Sequence, residues 1–136
     1  MLKKLLVVAM LATMAVTSFG CGRNDQFGTV DMKKIESEST VYKAIKEDMT
    51  AKAKTLQEEM MKETEGKSQE EAQKVVQDKS AKMQVIQTEA QNKLKTSFET
   101  AAGEVAKEKK LGAILVKEAV PQGGVDVTDD ILKKMK

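Results

Sequence analysis

Residues that usually carry catalysis or bind metals are scarce in this sequence of 136 residues. It contains no histidine, and so it lacks the commonest general base and the commonest metal ligand. Its one cysteine, Cys21, can neither close an internal disulfide nor build a thiolate zinc site. The residue types therefore predict no enzyme, no cofactor and no bound metal.

Two local patterns could still suggest a reactive site, but ordinary structure accounts for both. Carboxylates occur as adjacent pairs such as Glu58-Glu59, whose side chains would point about 100° apart on a helix. Such pairs, interspersed with lysines, are typical of a solvated helix face. Gly123-Gly124 is typical of a turn, because no Lys-Ser/Thr follows it at the spacing of a phosphate-binding loop.

Residues 1–20 are predicted to be a secretory signal peptide. Two lysines begin it, and residues 5–16 form an uncharged apolar run that is too short to span a bilayer stably. Gly20 then precedes Cys21 as in the lipobox of bacterial lipoproteins, with Ser18 where that motif usually has Leu. Two interpretations stay open. We favour a lipoprotein signal with a lipidated Cys21, and the alternative is an ordinary signal peptide cut at the same bond.

Lipidation of Cys21 would anchor the mature chain to a membrane without spanning it, since the acyl chains of a modified lipoprotein cysteine suffice for stable anchoring. Gly22 is not the Asp that usually retains lipoproteins in the inner membrane. We therefore expect the periplasmic side of the cell envelope, with the anchor in the outer membrane. Residues 21–26 form a polar tether that keeps the following domain close to the membrane.

The charge balance changes when the signal peptide is removed. The full chain has 23 Lys and Arg against 21 Asp and Glu, and residues 1–20 contain two lysines and no acid. The mature chain is therefore neutral, and residues 35–110 carry 14 lysines against 15 acidic residues. Nucleic-acid binding rests on clustered positive charge, so we expect no nucleic-acid partner.

Two long helices are predicted in the middle of the chain, over residues 41–65 and 69–110. Both stretches are rich in helix formers, and their apolar residues recur at eleven residues per three turns. Gly66 is suited to end the first helix, and Ser68 with Glu71 has the spacing of a capping box that starts the second. So short a break favours an antiparallel helical hairpin, a coiled-coil arm. The apolar stripes comprise Tyr42, Ile45, Met49, Ala53, Leu56 and Met60, then Ala72, Val75, Val76, Met83, Ile86, Ala90, Leu94, Phe98, Ala101 and Val105.

Short strands are predicted on either side of the hairpin. They comprise residues 27–32, residues 113–116, whose continuous apolar run is typical of a buried strand, and residues 125–127 after a turn. Gly112 is expected to end the second long helix, and Thr128 to cap a last short one. The predicted fold class is mainly α with a small β body. Because three short strands and a thin hairpin bury little apolar area alone, we expect an oligomer that shares its body.

Four segments of the mature chain carry a resemblance to a known family. They are the start GTVDM at residues 28–32, the charged hairpin, the strand AILV at residues 113–116, and the ending VDVTDDILK at residues 125–133, which is the most specific. In the sequence and the order of these four segments, the chain resembles the Skp/OmpH family of periplasmic chaperones over residues 27–136. The resemblance implies an ATP-independent holdase that binds unfolded outer-membrane proteins and has no catalytic residues.

The resemblance also implies an assembly. Three subunits would pool residues 27–34 and 111–136 into a β body, and three arms of residues 35–110 would enclose a cavity. The neutral arms give no support to electrostatic attraction of clients, so client binding would rest on scattered apolar contacts. The stripe residues considered for packing or client contact are Tyr42, Ile45, Met49, Leu56, Met60, Met83, Ile86, Leu94 and Phe98.

Met61 falls off the stripe, and it is therefore the better candidate for contact with a client. The methionines on the stripe are more simply explained as hairpin packing. The alternative function is a structural or adaptor coiled-coil lipoprotein that docks onto a folded partner or the cell wall.

Overall fold

The computed structural model describes residues 26–135, so the predicted signal peptide and Cys21 lie outside the described residues. Residues 26–135 are mostly helical and contain one small sheet of three strands. In chain order the elements are β1 (Phe27–Val30), α1 (Met32–Glu38), α2 (Thr40–Thr64), α3 (Gln69–Glu108), β2 (Ala113–Val116), a 3-10 turn (Lys117–Ala119), β3 (Val125–Asp126) and α4 (Thr128–Lys134).

Side-chain caps begin the first three helices. The Asp31 carboxylate accepts a hydrogen bond from the Lys34 amide at 3.1 Å and begins α1. Ser39 begins α2 in the same way. At α3, the Ser68 hydroxyl accepts from the Glu71 amide and the Glu71 carboxylate accepts from the Ser68 amide, so the predicted capping box is confirmed.

The end of α3 differs from the prediction. The helix ends at Glu108, and Lys110 rather than Gly112 takes the left-handed conformation, with φ of 54°. The Leu111 amide then donates to the Ala106 carbonyl at 2.8 Å, which is the long hydrogen bond of a Schellman motif. This turn places Leu111 against the core. The partial burial of Leu111 stabilises the left-handed conformation of Lys110, which is costly for lysine.

All three strands are parallel, in the order β2-β1-β3. The strand predicted at residues 113–116 is confirmed, but it is not buried within the single chain. Strand β2 lies at the edge of the sheet, where Leu115 is 43% and Val116 42% exposed, because no further strand or helix within residues 26–135 covers them. A continuous apolar run at an uncovered sheet edge is unusual for a protein that acts as a monomer.

The core lies where the end of α3 meets the sheet and the two short helices. Gly28 of β1 allows the Leu111 side chain to pack closely against the strand, since a Cβ at this position would lie 3.0 Å from the Leu111 Cδ1 atom. The fully or nearly buried apolar residues of this core are Val30, Ile35, Ala101, Val105, Val127, Ile131 and Met135.

Thr128 does not cap α4 as predicted. The N-cap is Val127, and it makes no side-chain capping bond. The buried Thr128 hydroxyl instead accepts from the Asp31 amide at 2.9 Å and donates to the Asp126 carboxylate at 2.7 Å. Asp126 also accepts from the Thr128 amide and from Lys117. These bonds join the end of β1 to the start of α4. The Thr128 hydroxyl, which would otherwise be free to cap α4, is therefore used in a long-range contact.

The Asp126 carboxylate makes this junction sensitive to acid. Hydrogen bonds from the Thr128 side chain and amide, with a smaller contribution from Lys117, lower the pKa of Asp126 from 3.8 to about 2. Because the folded-state pKa is lowered, the stabilisation is present above the unfolded pKa. It is lost as pH falls from about 4 to about 2.

We predict that Asp126→Asn flattens this part of the pH dependence of the free energy of unfolding. In the wild type, the free energy of unfolding should fall by about 1 kcal/mol over this pH range, since about half of the Asp126 side chain is exposed and solvent screens its interactions. Urea unfolding of both proteins at several pH values measures it. Glu118→Gln, which removes an exposed carboxylate from the neighbouring turn, serves as the control. Equal acid sensitivity in wild type and Asp126→Asn would contradict the prediction.

Candidate functional site

Helices α2 and α3 pack against each other along one apolar line, which we call the seam. Ile45 and Met49 of α2 meet Ile86 and Ala90 of α3. Nearer the end of α2 and the start of α3, Leu56 and Met60 lie against Lys79 and Met83. The seam comprises Tyr42, Ile45, Met49, Ala53, Leu56 and Met60 on α2, and Ala72, Val75, Lys79, Met83, Ile86, Ala90 and Leu94 on α3, all buried or half-buried.

The structure thus brings most of the predicted stripe residues together. Phe98 is an exception, because it packs against the core of the body rather than along the arm. Met61 lies off the seam and is 65% exposed. Val76, which the sequence places on the stripe, is 43% exposed at the side of the seam.

Lys79 is a seam residue that the sequence reading missed. Its side chain is only 5% exposed, and its Nζ donates to Glu59 Oε2 and to Glu63 Oε1, both at 2.8 Å. The signal was available, since Ala90 and Ala101 are eleven residues apart and counting eleven back from Ala90 gives position 79. The repeat places a residue there inside the seam, whatever its side chain.

The two carboxylates hold the buried ammonium in its charged form. Hydrogen bonds to Glu59 and then Glu63 raise the pKa of Lys79, against the opposing effect of burial. The same hydrogen bond lowers the pKa of Glu59. A buried charge is strongly unfavourable without such partners, so only a limited set of alignments between α2 and α3 can accommodate Lys79.

A groove of about 460 Å³ lies beside Lys79, open to solvent along the arm. Its floor is apolar, formed by Ala53, Leu56, Met60 and Met83 of the seam. The polar side chains at its margins are Thr50, Lys54, Gln57 and Ser80. Methionine side chains adapt to ligands of different shape, so the groove suits apolar side chains without requiring one particular ligand.

Searches for similar proteins find no family model and no curated protein that match the chain. Within residues 26–135, no helix has both the length and the apolar character needed to cross a membrane. The same described residues bring together no group of three or more acidic, cysteine or histidine side chains that could hold a metal ion.

We predict an asymmetry between the two ways of breaking the buried ion pairs. Glu59→Gln together with Glu63→Gln leaves Lys79 buried without a carboxylate, which should lower the midpoint of thermal unfolding markedly. Lys79→Met should lower it much less, because the two carboxylates are about half exposed and can be hydrated.

Circular dichroism melts measure both changes. Asp48→Asn is the matched control, since it breaks the ion pair with Lys52 in which both side chains are about half exposed. The prediction fails if the double glutamine variant is no less stable than Asp48→Asn.

Proposed function

We propose that the protein is an ATP-independent holdase chaperone of the cell envelope, which binds unfolded outer-membrane or other envelope proteins along its helical arm. The observation that carries this proposal is the open apolar groove beside Lys79, with the exposed Met61 on the same arm. A surface of adaptable apolar side chains suits unfolded chains of many sequences better than one folded ligand. The resemblance of the sequence to the Skp/OmpH family agrees with it.

The arm in this proposal is an antiparallel hairpin of α2 and α3. The turn at Gly66 and the ion pairs from Lys79 back to Glu59 and Glu63 support that arrangement. With 40 residues, α3 is about 60 Å long. Its far end meets the start of the sheet, where the Gly112 amide donates to the Gln26 carbonyl at 2.9 Å. The tip of the arm would therefore lie far from the tether.

The assembly in this proposal is a homotrimer with a shared β body. Strands β2 and β3 are the two edges of a small sheet, and their apolar side chains Leu115, Val116 and Val125 are all exposed by more than 40%. The backbone groups at such edges can form hydrogen bonds with strands from other copies of the chain. Three arms held by one body would surround a common space, in which a client could contact several grooves at once.

The location in this proposal is the periplasmic side of the outer membrane, through lipid on Cys21. An anchor beside Gln26 would leave the arms pointing away from the membrane.

We predict that cells fed a palmitate analogue label the wild-type protein and not Cys21→Ala. Equal labelling of the two would mean that the signal peptide is of the ordinary secretory type.

We predict that the purified mature protein suppresses aggregation of an unfolded β-barrel protein at stoichiometric amounts. Met61→Ser should reduce the suppression, because it removes an exposed apolar contact from the arm. Val85→Ser is the matched control, since Val85 is also exposed, at 56%, and lies on α3 away from the groove.

Light scattering turbidity reports the suppression, and multi-angle light scattering gives the mass of the same sample. No suppression across several clients would contradict the holdase, and a monomeric mass would contradict the shared body. If crosslinking in cells recovers one dominant folded partner instead of many outer-membrane proteins, the alternative function of a structural adaptor is the better one.

A further inference from the structure

The two sides of the arm differ in composition. For each seam residue, the next residue along the chain lies on one side of the arm and the preceding residue on the other, because successive residues are about 100° apart. We call the side of the following residues the glutamine face. On α2 it comprises Lys43, Lys46, Thr50, Lys54, Gln57 and Met61. On α3 it comprises Gln73, Val76, Ser80, Gln84, Gln87, Gln91 and Lys95.

Charge is distributed unequally between these sides. Within residues 40–95 of the described chain, the glutamine face has four lysines and no carboxylate. The opposite side, which we call the ion-paired face, carries the carboxylates Asp48, Glu59, Glu71, Asp78 and Glu89, with four lysines among them. Residues 35–110 as a whole carry 14 lysines against 15 acidic residues, so their net charge hides the difference between the two faces.

The pairing of charges strengthens the contrast. Asp48 binds Lys52 at 2.7 Å and Asp78 binds Lys82 at 2.9 Å, both on the ion-paired face. In the part of the chain that the structure describes, Lys43, Lys46 and Lys54 form no ion pair. These ammonium groups remain available to an external carboxylate.

The apolar groove opens on the glutamine face. Lys54, Gln57 and Ser80 of that face stand at its margins, beside the apolar floor of the seam. The exposed Met61 and Val76 belong to the same face and extend the apolar surface toward the turn at Gly66. Apolar contacts, unpaired ammonium groups and a row of glutamines therefore occupy one continuous side of the arm.

We propose that the glutamine face binds extended polypeptide segments in which apolar side chains alternate with carboxylates. The apolar side chains enter the groove, and the carboxylates meet Lys43, Lys46 and Lys54. Glutamine amides can both donate to and accept from peptide groups, so they satisfy the unpaired backbone of an extended segment whatever its sequence. This binding mode rests on the proposed holdase function and names the side of the arm that performs it.

Two labelled peptides test the proposal directly by fluorescence anisotropy. One alternates apolar residues with Asp and Glu, and the other has Lys at every acidic position. We compare the mature chain with a triple variant of the glutamine face, Lys43→Gln, Lys46→Gln and Lys54→Gln. The matched control, Lys52→Gln, Lys74→Gln and Lys93→Gln, removes the same number of charges from the ion-paired face. All proteins carry Cys21→Ala, and circular dichroism checks that each is folded.

The wild type should bind the acidic peptide more tightly than the basic one, and added salt should reduce the difference. The glutamine-face variant should bind the acidic peptide about tenfold more weakly, from three exposed ion pairs, while the control is unchanged. Equal weakening in both variants, or no preference for the acidic peptide, would overturn the proposal.

Two further results separate this proposal from its alternatives. If the glutamine-face variant still suppresses client aggregation fully, the holdase function stands but uses another surface. If the three substitutions instead abolish self-association of the wild type measured without peptide, the face binds a second copy of the chain and the proposal is wrong.

Discussion

The structure depends on the double role of α3. The last turns of this helix, at Ala101 and Val105, are buried among the sheet and the two short helices, whereas Lys79 and Met83, nearer its start, lie against α2. Because a helix of 40 residues is far longer than this small core, most of α3 must extend beyond it. The orientation of the arm is therefore set by a few buried contacts at one end, and the arm itself is held only by its narrow seam.

The repeat of the apolar residues determines whether the seam runs straight along the two helices or winds around them. With eleven residues per three turns, the apolar line runs almost straight along each helix, so each side of the arm keeps the same residues over its whole length. A heptad repeat would wind the helices around each other and turn both sides with them. The repeat therefore keeps the glutamine face on one side and the carboxylates of the ion-paired face on the other over residues 40–95.

Local features of the fold could be predicted from the sequence, and features that depend on distant contacts could not. The capping box of Ser68 and Glu71 involves residues three apart, so its spacing was sufficient. The hydroxyl of Thr128 was assigned to a cap, but it bonds to Asp31, ninety-seven residues away. The apolar run of β2 has the composition of a buried strand, and its exposure follows from its place at the sheet edge, which no local pattern reports.

The candidate site was missed for a different reason, since its pattern was present in the sequence. A search for apolar residues passes over Lys79, although the repeat that includes Ala90 and Ala101 predicts its burial. The net charge of the arm likewise argued against electrostatic attraction of clients. A polypeptide bound as we propose would contact one side of the helix pair, and screening in salt limits each charge to about 10 Å. In the proposed binding mode, the charge that matters is therefore that of the face on which the groove opens, and there it is positive.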